Sequence, residues 1–146
     1  MEKCTVDPGE VLRNYRVIAV VGASKNPDKD AYTVPEFMKE RGYTIVPVNP
    51  SADAIHGEKA YPSLDAMPKE LADRVEVVDV FRPSEELPEV AKKVVEMKAR
   101  TGRPFVFWAQ LNLENEEAKK ILADAGIDYV MDKCMRVEQR TLTGRF

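Results

Sequence analysis

The stretch Val17-Ile18-Ala19-Val20-Val21-Gly22-Ala23-Ser24-Lys25 decides the fold class. Five apolar residues, four of them β-branched, run without a polar break and stop at a glycine. A strand with one wet face would alternate apolar and polar residues. An unbroken run belongs to a strand covered on both faces, as the strands of parallel sheets are. Four further apolar-rich runs follow: residues 44–48, 76–81, 105–108 and 127–131.

Helical signals lie between these runs. Thr33 followed by Glu36 reads as a capping box, in which each side chain satisfies an amide at the helix start. Phe37 and Met38 then face inward, and Gly42 suits the left-handed position past the helix end. Leu87, Val90, Ala91 and Val94 repeat at helical spacing up to Gly102, with Pro88 near the start. Ala118, Ile121, Leu122 and Ala125 do the same up to Gly126. Strand and helix alternate through short links, which means right-handed βαβ units. The expected architecture is a single Rossmann-like α/β domain over residues 1–146, with a five-stranded, mainly parallel sheet and helices on both faces. In such folds a ligand binds at the carboxyl ends of the strands, where the strand order reverses.

Composition narrows the function. The chain has 146 residues, 44% apolar and 32% charged, which suits one globular domain and excludes a disordered tail or a fibre. No run approaches the roughly 18 apolar residues that cross a bilayer. Residues 1–8 carry no apolar core, so no secretory leader is expected. A net charge of −3 argues against a general nucleic-acid binder, whose affinity rests on a basic face. Two cysteines, Cys4 and Cys134, and one histidine, His56, do not have zinc-ligand spacing. The expectation is a cytoplasmic protein, monomer or homodimer, with a small-molecule ligand and with no nucleic-acid, membrane or metal partner.

The residues just after each run carry the candidate chemistry. Gly22, Ala23, Ser24 and Lys25 offer a close backbone approach, a hydroxyl and a positive charge, a combination suited to phosphate. They do not form the G-x-G-x-x-G fingerprint, because the next glycine is Gly42. The second run ends Pro47-Val48-Asn49. An NAD site has an acid there to read the ribose hydroxyls; Asn49 is neutral, which counts against NAD. The third run ends Phe81-Arg82, and Arg82 can present a planar fork to a phosphate, while Ser84 can cap the next helix. Gln110 follows the fourth run as an amide contact, and Trp108 reads as core. Cys134 follows the fifth run between Lys133 and Arg136, and neighbouring cations favour a thiolate. His56 reads as solvent-facing, in a polar loop. No catalytic set is found, so a non-catalytic binding role is favoured over an enzyme.

Taken together, the strand ends Val-Gly-Ala-Ser-Lys, Val-Pro-Val-Asn-Pro, Val-Phe-Arg-Pro-Ser, Trp-Ala-Gln-Leu and Asp-Lys-Cys-Met resemble the stand-alone CoA-binding proteins. That family is related to the CoA-binding domain of the succinyl-CoA synthetase α subunit. The resemblance runs from about Leu12 to Arg140 and includes residues 55–64 after the second run. It implies a Rossmann-like fold holding coenzyme A or an acyl-CoA. Gly22, Ala23, Ser24 and Lys25 would then cradle phosphate; Pro47, Val48 and Asn49 would line the nucleotide end; Phe81 and Arg82 would flank it. If the thiol arm reached the last strand end, it could pair with Cys134. The synthetase needs further domains and a phosphorylated histidine, and nothing places His56 in that role. The alternatives are a small NAD(P)-linked oxidoreductase and a regulatory subunit of a larger acyl-CoA enzyme.

Overall fold

The computed structural model describes residues 2–143. The chain opens with a short helix, α1 (Pro8–Asn14), whose N-terminus is capped by the Asp7 side chain accepting from Glu10 N–H. It continues through β1 (Val17–Val21), α2 (Asp30–Glu40) and β2 (Thr44–Val48). A small hairpin, β3 (Ala54–Ile55) and β4 (Glu58–Lys59), and a single helical turn, α3 (Lys69–Ala72), lead to β5 (Val77–Val80). Then come α4 (Leu87–Thr101), β6 (Val106–Ala109), α5 (Glu116–Asp124), β7 (Asp128–Val130) and α6 (Met135–Thr143).

The main sheet has the order β2-β1-β5-β6-β7, and every pairing in it is parallel. The chain steps outward from β1 to β2, then returns to the other side of β1 to lay down β5. The reversal therefore falls between β1 and β5, the place where such sheets open a crevice for ligands. All four residues of β5 and of β6 are buried, as strands covered on both faces are. Successive side chains serve opposite faces. Val78, Val80 and Phe107 join the core under α4 and α5. Val77, Val106 and Trp108 join the core under α1, α2 and α6.

The structure moves one helix start. Helix α2 begins at Asp30, not at Thr33, and Pro35 lies inside it. The Thr33 box does not form; the Thr33 hydroxyl instead accepts from the Arg136 guanidinium of α6 at 3.3 Å. Proline has no N–H to give the carbonyl four residues back. That carbonyl, Ala31, accepts from Ser24 N–H at 3.2 Å. The gap in the helix ladder thus ties down the loop after β1.

Two other expectations change. Ser84 does not cap α4. Its hydroxyl accepts from Glu114 N–H at 3.1 Å and lies 3.3 Å from the Asn112 carbonyl, joining the loops after β5 and β6. The His56 imidazole is not solvent-facing: it is 5% exposed, packs on Tyr32 at 4.3 Å between ring centres and bonds the Tyr32 carbonyl at 2.9 Å. With Lys39 bonded to the His56 carbonyl and paired with Glu58 at 3.0 Å, it fastens the hairpin to α2. Among the described residues, no helix is long and apolar enough to cross a membrane.

Candidate ligand-binding site

The carboxyl ends of β1, β2, β5 and β6 open into two hollows on opposite faces of the sheet. The one on the α4 side measures about 380 Å³. Its apolar walls come from Val21, Val48, Leu64 and Val90, with Pro50 and Pro62 beside them. Its polar groups are Ser63, Asp65, Arg82 and Lys93. The other, on the α2 and α6 side, measures about 370 Å³. Phe81, Leu111, Leu113, Val34 and Cys134 line it, with Gln110 and the first turn of α2, Lys29 to Ala31, alongside. Each falls in the size range of small-molecule sites. Arg82 belongs to both, so the two meet across the sheet edge at the strand reversal.

Gly22 makes that junction possible. Its φ is +84°, and a Cβ built there would lie 2.6 Å from the Phe81 carbonyl oxygen and 3.1 Å from Arg82 Cδ. Only glycine lets the β1 and β5 ends come this close. Gly22 N–H closes the ladder to the Val48 carbonyl. Beyond it, Ser24 N–H is held by Ala31, and the Ser24 hydroxyl accepts from Asn26 N–H at 3.0 Å. Among the described residues, the N–H groups of Ala23 and Lys25 have no hydrogen-bond partner. Helix α2 next door has Lys29 at its N-cap position and no side-chain cap there. Lys25 and Lys29 are exposed on this loop. Free loop amides beside a helix start, together with nearby cations, make an anion-binding surface.

The remaining candidates divide in two. Arg82 sits at the junction and donates to Glu86 Oε1 through Nε at 3.1 Å and through a terminal nitrogen at 2.8 Å. It is 46% exposed, so the pair is weak and a phosphate can compete with it. Val48 and Phe81 form wall. Pro47 is buried within β2, and its carbonyl accepts from Tyr61 N–H. Asn49 does not stand on either wall. Its Nδ2 donates to the Ala23 carbonyl and its Oδ1 accepts from Ser51 N–H, both at 2.7 Å. The amide therefore clamps the loops after β1 and β2 together.

Gln110 is likewise engaged at both ends. Its Nε2 donates to Asp79 Oδ1 at 2.5 Å, and its Oε1 accepts from Met135 N–H at 3.1 Å, at the start of α6. Asp79 is 1% exposed. Burial pushes its carboxyl up to about 7, against the smaller opposing pull of the Gln110 and Val80 N–H donors. Cys134 immediately precedes α6; its carbonyl accepts from Glu138 N–H and its side chain is half-buried against the second hollow. Of its two cationic neighbours, Arg136 is turned to Thr33. Trp108 is fully buried, its Nε1 donating to the Lys133 carbonyl. Among the described residues, no group of three or more His, Cys, Asp or Glu side chains is placed to hold a metal ion.

Sequence reasoning missed Ser63, Asp65 and Lys93, which reach the site from a turn and a helix far along the chain. It also missed Asp79, whose signal was an acid inside an apolar run.

Comparison with known proteins bears on this geometry. Residues 16–140 match the family described as "CoA binding domain". The protein YneT of Bacillus subtilis is 44% identical over 128 residues, 88% of each chain. A solved structure of a hypothetical protein from Pyrococcus horikoshii superposes with a TM-score of 0.83 at 34% identity, covering 96% of this chain and 94% of the other. The acetate–CoA ligase (ADP-forming) II of Archaeoglobus fulgidus is 36% identical over 75 residues, 50% of this chain but 10% of the ligase.

Proposed function

The chain belongs to the family of CoA-binding domains, and from that premise we propose that it holds coenzyme A across the carboxyl edge of its sheet without catalysing a reaction. The observation that carries the reading is the pair of hollows joined at Arg82. Coenzyme A has a nucleotide at one end, a thiol arm at the other and a pyrophosphate between. A ligand of that form needs two cavities and a cationic junction. The nucleotide takes the α4-side hollow and the thiol arm the one containing Phe81 and Cys134. The pyrophosphate lies beside Gly22, the amides of Ala23 and Lys25, and Arg82.

A non-catalytic role is supported by what the reactive groups are doing. Asp79 and Gln110 are bonded to each other inside the fold, and the His56 imidazole is committed to the hairpin. Asn49, where a dinucleotide site would have an acid, is spent on the loop clamp. The ligase relative suggests acyl-CoA as a second ligand form.

A thermal-shift titration of reduced protein with coenzyme A, acetyl-CoA, NAD, NADP and ATP tests this. A ligand specific to the folded state adds about 2.7 kcal/mol at a hundredfold excess over its Kd. Coenzyme A is expected to raise Tm, with NAD having little effect. A shift with NADP and none with coenzyme A would overturn the reading in favour of a reductase.

A further inference from the structure

The α4-side hollow has more chemistry on its rim than a simple apolar slot needs. Arg82 stands at the junction with the other hollow, whereas Lys93 and Asp65 line this one alone. Lys93 projects from α4 one turn before its buried Met97. It is exposed, and its charge acts on the Asp65 carboxylate. Asp65 follows Leu64, which is buried in the hollow wall, and the Ser63 hydroxyl donates to its Oδ1 at 2.5 Å. That bond, the Asp65 backbone amide and the charge of Lys93 hold the Asp65 carboxyl below its usual range. It therefore remains an acceptor and never a donor near neutral pH.

Arg82, Lys93 and Asp65 thus give this one hollow a guanidinium, an ammonium and a carboxylate beside its apolar walls. A 3′-phosphorylated adenosine attached through its 5′ side carries a matching set of groups: a pyrophosphate, a phosphate on the ribose and a base bearing an amine. A carboxylate repels a 6-oxo purine, which presents lone pairs where adenine presents N–H donors. We propose, resting on the coenzyme A reading above, that Lys93 and Asp65 set which nucleotide this hollow accepts: Lys93 meets the phosphate on the ribose, and Asp65 accepts from the exocyclic amine of the base.

Calorimetric titration of the full chain with coenzyme A, dephospho-CoA and the deaminated, hypoxanthine form of coenzyme A tests the assignment. The wild-type protein is expected to prefer coenzyme A to both analogues. Lys93→Met should lower the preference over dephospho-CoA about tenfold, the scale of one charge-assisted contact, while leaving dephospho-CoA affinity nearly unchanged. Asp65→Asn, whose amide both donates and accepts, should erase most of the preference over the deaminated form. These readouts are ratios between ligands on one folded protein, so a general loss of stability does not move them. If Lys93→Met weakens coenzyme A and dephospho-CoA alike, or Asp65→Asn leaves the base preference intact, the assignment falls while the coenzyme A reading stands. If the wild-type protein binds none of the three, the coenzyme A reading itself is lost and this inference with it.

Discussion

On the α4 side the hollow is walled by an irregular segment, residues 62–65, and rimmed by exposed charges held in loose partnerships. On the α2 and α6 side it is backed by a buried polar bridge that runs from Asp79 in the centre of the sheet through Gln110 to the start of α6. Exposed pairs of the first kind contribute little to stability, so their chemistry can vary without endangering the fold. A fully bonded buried network is costly to break, because each partner left behind is an unsatisfied polar group out of reach of water. Selectivity and rigidity are thus divided between the faces of one sheet, with Gly22 and Arg82 as the seam.

The largest expected effect comes from breaking the seam. Gly22→Ala must place a side chain at φ +84° and against the Phe81 carbonyl. Backbone strain and overpacking together should cost roughly 3–5 kcal/mol, read as a lower urea midpoint. A loss under about 1 kcal/mol would mean the two strand ends separate easily.

Next in size is the buried bridge. In the folded state Asp79 holds its proton up to about pH 7, whereas the unfolded chain releases it near the ordinary value of 3.8. Between those values the folded state binds the extra proton, so stability should fall as pH rises from about 4 to 7 and level off above. The fall is on the order of 4 kcal/mol by linkage. Asp79→Asn should flatten that slope in denaturation curves taken across the range. An unchanged slope would show that another group governs it.

The smallest expected effect is at Arg82. Arg82→Ala should weaken coenzyme A and dephospho-CoA equally, about tenfold each, because the guanidinium stands at the junction and not at the ribose. A selective loss of coenzyme A affinity would move the ribose phosphate from Lys93 to Arg82 and blur the division between the hollows.

Much of the frame was legible because parallel strands buried on both faces leave largely apolar runs; β1 and β2 have the same limits in the sequence and in the structure. Helices α4 and α5 showed their spacing and their terminal glycines. The start of α2 was misread because Thr33 with Glu36 three residues on has the pattern of a capping box, whereas Pro35 sits inside the helix and the carbonyl it leaves free is taken by Ser24, eleven residues before it. Helix α6 escaped notice because its polar residues, Arg136, Glu138 and Arg140, break up a thin apolar pattern. At the site, local signals pointed to Gly22, Arg82 and Cys134. They could not reveal that Asn49 and Gln110 are bonded within the protein, because their partners are 26 and 31 residues distant.

Both margins of the main sheet carry cover among the described residues. At β2, Pro47 has no N–H to offer, and Tyr61 bonds across Pro47 and Asn49. At β7, residues 3–5 run antiparallel, with Cys4 opposite Val130, Met131 N–H bonded to the Lys3 carbonyl and Thr5 N–H to that of Tyr129. Open strand margins are where chains add to one another and, uncontrolled, grow into aggregates. Cover at these two margins lowers the tendency of the main sheet to extend by strand addition.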